Sequence, residues 1–242
     1  MKVIKAKTHK EAGYLAADEF EKVMEKKADC VIGLATGSTP LPFYDELIQR
    51  EKNRALSFSS VRTVNLDEYV GLEAEDPQSY RYYMQKNLFD HISIKRENIL
   101  IPNGLEKDKE TLCRKYENQI EVWGGIDIQL LGIGHNGHIG FNEPDDFFAV
   151  STHEVKLTEK TRKANQRFFK SPNDVPKSAI TVGIGTIMSA KKIVMMAVGG
   201  DKAEIIKKAF CGPVTPKIPA SILQFHPNVT LICDEAAYMG FY

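Results

Sequence analysis

A chain of 242 residues with 43% hydrophobic content can bury one large core, and α/β domains of this size are often single. Its 32 basic residues balance 32 acidic ones, so no net field recruits nucleic acid or a membrane surface. No apolar run reaches signal-peptide or membrane-spanning length, and the scattered Cys30, Cys113, Cys211 and Cys233 form no Cys-x-x-Cys; the expectation is a cytoplasmic single domain over 1–242 with buried free thiols.

The first strand is expected at Val3-Ile4. Thr8-His-Lys-Glu11 then reads as a capping box opening an amphipathic helix through Tyr14, Leu15, Phe20, Val23 and Met24. A strand over 30–35 follows and breaks at Thr36-Gly-Ser-Thr-Pro40, with a helix to about residue 52. Pro40 suits a first helical turn, where its missing N–H costs nothing. Gly37, Ser38 and Thr39 would then present N–H groups and hydroxyls at a helix N-terminus, an anion-binding arrangement. No Gly-Lys-Ser/Thr follows, so this is not a Walker loop; an ordinary capping turn is the competing reading.

A strand over 61–66 ends in Asn65-Leu-Asp-Glu-Tyr-Val-Gly71. Neighbours on an extended chain point oppositely, so only one of Asp67 and Glu68 should face a cleft. That carboxylate could be a general base, a metal ligand or a solvated loop charge. Helical patterns near 78–90 and 106–123 flank a strand at 98–101. Another strand, starting near 126, runs into Gly132-Ile-Gly-His-Asn-Gly-His-Ile-Gly-Phe-Asn-Glu-Pro144. Helices near 159–168 and 201–210 and strands at 193–198 and 229–233 complete the pattern. The βα rhythm predicts a doubly wound, mostly parallel, Rossmann-like α/β sheet with helices on both faces.

Such sheets bind ligands at the carboxyl ends of their strands. There the 132–144 stretch offers His135, His138, Asn136, Asn142 and Glu143 on a backbone that four glycines allow to bend. Gly132-x-Gly134-x-x-Gly137 matches a dinucleotide fingerprint in letters, but Gly140 and Pro144 break the helix that motif requires. The two histidines with Glu143 match no zinc spacing and lack an obvious third strong ligand. Neither a nucleotide cofactor nor a metal is expected.

The turns Thr36-Gly-Ser-Thr-Pro, Asn65-Leu-Asp-Glu-Tyr-Val-Gly and Gly-His-Ile-Gly-Phe-Asn-Glu-Pro resemble the three signature turns of the glucosamine-6-phosphate deaminase family, in the same order. The likeness runs nearly end to end and includes Thr161-Arg-Lys-Ala-Asn-Gln-Arg-Phe-Phe169. It implies conversion of glucosamine 6-phosphate and water to fructose 6-phosphate and ammonia, without metal or organic cofactor. By the same resemblance, Thr36, Gly37, Ser38 and Thr39 would hold the phosphate with Arg167 and Lys202. His138 would open the sugar ring, Glu143 would orient it, and Asp67 would move a proton from C2 to C1. Asn136 stands where some relatives carry Asp. The implied partner is a small sugar phosphate, not nucleic acid or membrane.

Two rivals remain at this stage. A 6-phosphogluconolactonase would share the phosphate and Gly-His turns, but it needs no C2 base. A phosphosugar sensor would carry a basic helix-turn-helix, which this sequence lacks. Residues 157–178 read as a lid carrying Arg167, with Lys170-Ser-Pro-Asn-Asp-Val-Pro176 as its loop. Larger relatives are hexamers activated through a basic pair on the strand after Asn-Glu-Pro. Here His153 and Val155 fall at those positions, so a monomer or small homo-oligomer with no such activation is expected.

Overall fold

The alternation of β-branched runs with amphipathic helices closes into a parallel sheet because each connection must pack its apolar stripe back onto the strands. The computed structural model describes residues 1–166, 169 and 171–242. In chain order the elements are β1 (Lys2–Ala6), α1 (His9–Lys26), β2 (Val31–Leu34), α2 (Leu41–Lys52), β3 (Arg62–Asn65) and β4 (Asp67–Tyr69). Then come α3 (Tyr80–Asn87), β5 (Ile99–Leu100), α4 (Lys109–Val122), β6 (Ile128–Leu131), β7 (His153–Lys156) and α5 (Glu159–Asn165). The chain finishes with β8 (Ser178–Thr181), α6 (Ile184–Met188), β9 (Ile193–Ala197), α7 (Ala203–Phe210), β10 (Val229–Asp234) and α8 (Glu235–Tyr238).

Seven strands form one sheet in the order β1-β10-β9-β6-β2-β3-β5, with every pairing parallel. From β2 the chain steps outward to β3 and β5; it then returns to β6, on the other side of β2, and steps the opposite way to β9. Right-handed crossovers in opposite directions lie on opposite faces, so β2 and β6 flank the point where the winding reverses. The central strands β2, β6 and β9 are buried throughout, as expected for a sheet covered on both sides. No described helix is long and apolar enough to cross a membrane.

A second sheet is absent from the sequence reading. Its three strands pair antiparallel in the order β4-β8-β7. β4 has the sequence Asp-Glu-Tyr and is fully buried, so charge concealed it from any hydrophobic pattern. Three further differences are local. Cys30, Cys113 and Cys233 are buried as expected, but Cys211 follows α7 and is exposed. α2 begins at Leu41 with Pro40 at its N-cap, so Pro42 occupies the first turn. Arg167, Phe168 and Lys170 of the expected lid lie outside the described residues.

The N-terminus of α2 is placed by α1. The Thr8 hydroxyl caps α1 by accepting from Glu11 N at 3.1 Å, and the His9 ring bonds the Thr39 carbonyl oxygen at 2.8 Å. Gly13 lets α1 come closer still: a Cβ there would lie 2.6 Å from the backbone carbon of Pro42. Gly13→Ala is therefore expected to destabilise the protein by about 1–3 kcal/mol through overpacking. Chemical denaturation checks this, and unaltered stability would mean the helices separate without cost.

Candidate active site

β2, β3, β6 and β9 end at one edge of the sheet, and the turns that leave them enclose a cleft of about 730 Å³. It lies where the winding reverses, the usual ligand position in such sheets. Thr36, Gly37, Ser38 and Thr39 line it from β2, Asp67 from β3 and β4, and Asn136 and His138 from β6; Lys202 lines it after β9. The three sequence turns converge.

The β2 turn is shaped for an anion. Gly37 has φ +98°, and a Cβ there would meet nothing within 4 Å, so its backbone is open on that side. Tyr83 fixes the turn from behind by donating its hydroxyl to the Gly37 carbonyl oxygen at 2.6 Å. Among the described residues no side chain caps α2, so its first N–H groups are open to an anion. Lys202 lies across the cleft and donates to the Ile133 carbonyl oxygen at 3.0 Å, which holds the ammonium beside the β6 turn.

Asp67 and Glu68 part ways as the strand alternation requires. Glu68 turns to the start of α3 and accepts backbone N–H bonds from Tyr69 at 2.8 Å, Tyr80 at 2.9 Å and Arg81 at 2.9 Å. Asp67 faces the cleft and is 7% exposed, with no ion pair among the described residues. Burial, assisted by the Glu68 carboxylate, pushes its pKa up to about 8. A carboxyl group so placed exchanges a proton near neutral pH, which suits general acid–base work.

The small second sheet holds the histidine turn over this carboxyl. Asp67 on β4 pairs in register with Thr181 on β8. The Thr181 hydroxyl accepts from Phe141 N at 3.0 Å, and the Asn142 amide donates to the carbonyl oxygens of Ile139 at 2.9 Å and Val182 at 2.8 Å. Gly140, at φ +58°, passes between them, and a Cβ there would sit 2.9 Å from the Thr181 hydroxyl. Gly134 is equally constrained: the His138 ring would lie 2.3 Å from its Cβ.

Glu143 stands behind His138 and outside the cleft lining. Its Oε2 is 3.7 Å from His138 Nδ1, within ion-pair range but too long for a hydrogen bond. Nδ1 is buried and bonds no other group among the described residues. Asn136 donates to the same Glu143 oxygen at 2.6 Å, and its own oxygen accepts from His138 N at 3.2 Å. Burial opposes ionisation of Glu143, yet His138, Thr161 and Asn136 together hold its pKa down at about 2. A permanent carboxylate therefore backs the imidazole.

The sequence reading missed part of the wall. Tyr69, Tyr80, Phe141, Asn165 and Phe169 also line the cleft. Tyr69 was within reach, because it follows Asp67 by two residues on a strand and so shares its face. His135 pairs with Asp201 at 2.6 Å at the rim.

The family model of glucosamine-6-phosphate isomerases/6-phosphogluconolactonase matches residues 5–232. A curated relative from Thermoanaerobacter pseudethanolicus, named glucosamine-6-phosphate deaminase, is 54% identical over 98% of this chain and 94% of its own. One of the same name from Lachnoclostridium phytofermentans is 54% identical over 96% of this chain and 99% of its own. A solved structure described as a monomeric glucosamine-6-phosphate deaminase superposes with a TM-score of 0.96 at 46% identity, covering 98% of this chain and 99% of that one. A 6-phosphogluconolactonase from Trypanosoma brucei shares the fold, with a TM-score of 0.77 at 18% identity over 100% of this chain and 98% of that one.

The raised Asp67 pKa has a thermodynamic consequence. Between pH 3.8 and about 8 the unfolded chain loses this proton while the folded protein keeps it, so this group's contribution to stability falls as pH rises. Asp67→Asn removes the titration. Its melting temperature should exceed that of the wild type, by a margin that widens from pH 4 to pH 8. A margin that stays constant over that range would show that Asp67 titrates normally.

Proposed function

The chain belongs to the glucosamine-6-phosphate isomerase/6-phosphogluconolactonase family, and from that membership we propose that it is a glucosamine-6-phosphate deaminase acting in amino-sugar catabolism. The observation that carries this reading is the buried, near-neutral carboxyl of Asp67 facing the histidine turn. Lactone hydrolysis activates a water but has no carbon acid to deprotonate, so it does not require a base at C2.

The phosphate lies on the turn of Thr36, Gly37, Ser38 and Thr39, against the N-terminus of α2, with Lys202 supplying a point charge. Arg167 follows α5 in the chain and is assigned to the same phosphate on family likeness, in the segment 157–178 that would cover the cleft. His138 carries a proton between the anomeric hydroxyl and the ring oxygen, which opens the pyranose. Glu143 stabilises the imidazolium that forms, and Asn136 holds Glu143 in place.

Asp67 then removes the C2 proton of the open-chain amino-aldehyde, and the electron pair moves to form an enolamine whose C1 oxygen takes up a proton, balanced by the one the nitrogen gives up as the imine forms. The same carboxyl returns the proton to C1, leaving an imine at C2. Water adds to C2, the C–N bond breaks and ammonia departs. C1 is reduced and C2 oxidised within the one substrate, so no external oxidant or reductant is required. Low polarity around Asp67 strengthens the base, and the raised pKa places its active range close to neutrality.

A monomer in the cytoplasm is the assembly and location we favour. The similar solved enzyme is described as monomeric, and three buried thiols fit a reducing compartment. On β7, His153 bonds the Ser151 carbonyl oxygen at 2.9 Å through Nδ1 and Val155 carries no charge, which makes a poor cradle for an effector phosphate.

Purified protein should release ammonia and fructose 6-phosphate from glucosamine 6-phosphate, with undiminished rate in the presence of a chelator. kcat/KM should rise with pH until the Asp67 carboxyl, near 8, is ionised. Asp67→Asn should lose about 10²–10⁴-fold in kcat and stop incorporating solvent deuterium at C1. An Asp67→Asn variant with more than a tenth of the wild-type rate would place the base elsewhere.

The kinetics should be hyperbolic, with no activation by N-acetylglucosamine 6-phosphate, since an effector must bind two states unequally. Sedimentation should give a monomer. A sigmoidal curve made hyperbolic by the acetylated sugar would refute the first expectation, and a larger assembly the second.

A further inference from the structure

The wall of the cleft beside Asp67 is aromatic. Tyr69 and Tyr80 have ring centroids 4.7 Å apart, Tyr80 stacks on Phe141 at 5.9 Å, and Phe169 meets Tyr69 edge-on at 5.8 Å. One oxygen atom ties these parts together. The Tyr69 hydroxyl oxygen accepts from the Tyr80 hydroxyl at 3.2 Å and from the Asn165 amide at 3.0 Å. Hydrogen bonds to this one atom thus join α3, β4 and α5, and Tyr80 lines the same cleft as Thr36 of the β2 turn. Tyr69 is 2% exposed, so these bonds are shielded from solvent and from competition with water.

We propose that the Tyr69 hydroxyl is a positioning residue for the reaction: by holding Tyr80 and Asn165 together beside the base, it keeps water from Asp67 and fixes the aim of its carboxyl group. The proposal rests on the reading of Asp67 as the base. Tyr69 is two residues from Asp67 on the same strand, so both side chains project from the same side and a shift at one is felt at the other.

The surroundings of Asp67 leave water exclusion as the controlling factor. Glu68 adjoins it on β4. The phenols that act on it are Tyr44 on α2, Tyr69 on β4, Tyr80 on α3 and Tyr116 on α4, each shifted upward by burial and so neutral in the working range. His138 and Lys202 share the cleft from the β6 and β9 turns. Among the described residues no cation pairs with Asp67. Its proton affinity is set chiefly by burial, so a gap in the wall lowers that affinity.

Tyr69→Phe deletes one oxygen and keeps the ring, so the aromatic packing survives. It should reduce kcat about tenfold with KM changed less than about twofold, as expected when the base is misplaced without loss of binding. The acid limb of kcat/KM should move to lower pH by about one unit, because water stabilises the carboxylate. The carboxyl ¹³C titration of Asp67 in the unliganded protein should move the same way. Asn165→Ala should act in the same direction, and the double variant should go no further than Tyr69→Phe, since the two groups work as a unit.

An unmoved Asp67 titration in both single variants would overturn the proposal, even if their melting temperatures fell, because the hydroxyl would then serve packing alone. Should Tyr69→Phe fail to fold, Asn165→Ala carries the same readouts. Wild-type protein inactive on glucosamine 6-phosphate would defeat the assigned function instead, while the ¹³C titration would still decide whether Tyr69 controls the environment of Asp67.

Discussion

The arrangement depends on one unfavourable act: a carboxyl group at the end of β3 is taken out of water with no cation beside it among the described residues. Desolvation of a carboxylate is costly unless the group is paired, hydrogen-bonded or neutralised. Burial raises the pKa of Glu68, next in the chain, as well, but backbone N–H bonds from Tyr80 and Arg81 at the start of α3 and from Tyr69 on β4 oppose that rise. Among the described residues Asp67 has no such partners, and it holds its proton instead. The folded protein thereby keeps a base that is strong because its ionised form is poorly solvated, and the rest of the molecule maintains that condition.

Maintenance falls to the small antiparallel sheet. The parallel sheet brings four strand ends to one edge, but it does not press the β6 turn down onto the β3 end. β8 does so, through Thr181 and Val182, with Asn142 as the clasp. Glycine is needed where the chain squeezes past, since a side chain at Gly140 would collide with Thr181 and one at Gly134 with the His138 ring. Rigidity at these two points fixes His138 relative to Asp67, the proposed shuttle and base, which no loop on its own would hold.

What could be read from the sequence follows the same division. The strands of the parallel sheet declared themselves through their apolar, β-branched runs, although β3 and β6 also bury Thr63, Asn65 and Gln129, and so did the polar turns that follow them, because glycine, hydroxyl and imidazole residues at strand ends have few structural uses. β4 did not, since its pattern of Asp-Glu-Tyr is set by the site and not by the core. β8 was hidden by its partner, because an antiparallel strand in a βα chain has no periodicity of its own until β4 and β7 are seen beside it. The aromatic wall was missed for a related reason. Tyr69, Tyr80, Phe141 and Phe169 come from four separate stretches, and only folding brings their rings within 6 Å of a neighbour.

Asn136 shows how one uncharged residue serves this design. Its amide donates to Glu143 at 2.6 Å, so an aspartate there would set two carboxyl groups in contact and force them to share a proton or move apart. With asparagine the bond is made without that conflict, and Glu143 stays ionised far below neutral pH. The negative charge behind His138 is then single and constant. The same amide accepts from His138 N, so it also sets the backbone from which the ring projects. Charge on one side of the cleft is therefore held fixed and on the other it is suppressed by burial, so in the proposed reaction the sugar ring would lie between His138, backed by an anion, and Asp67, which ionises only near neutrality.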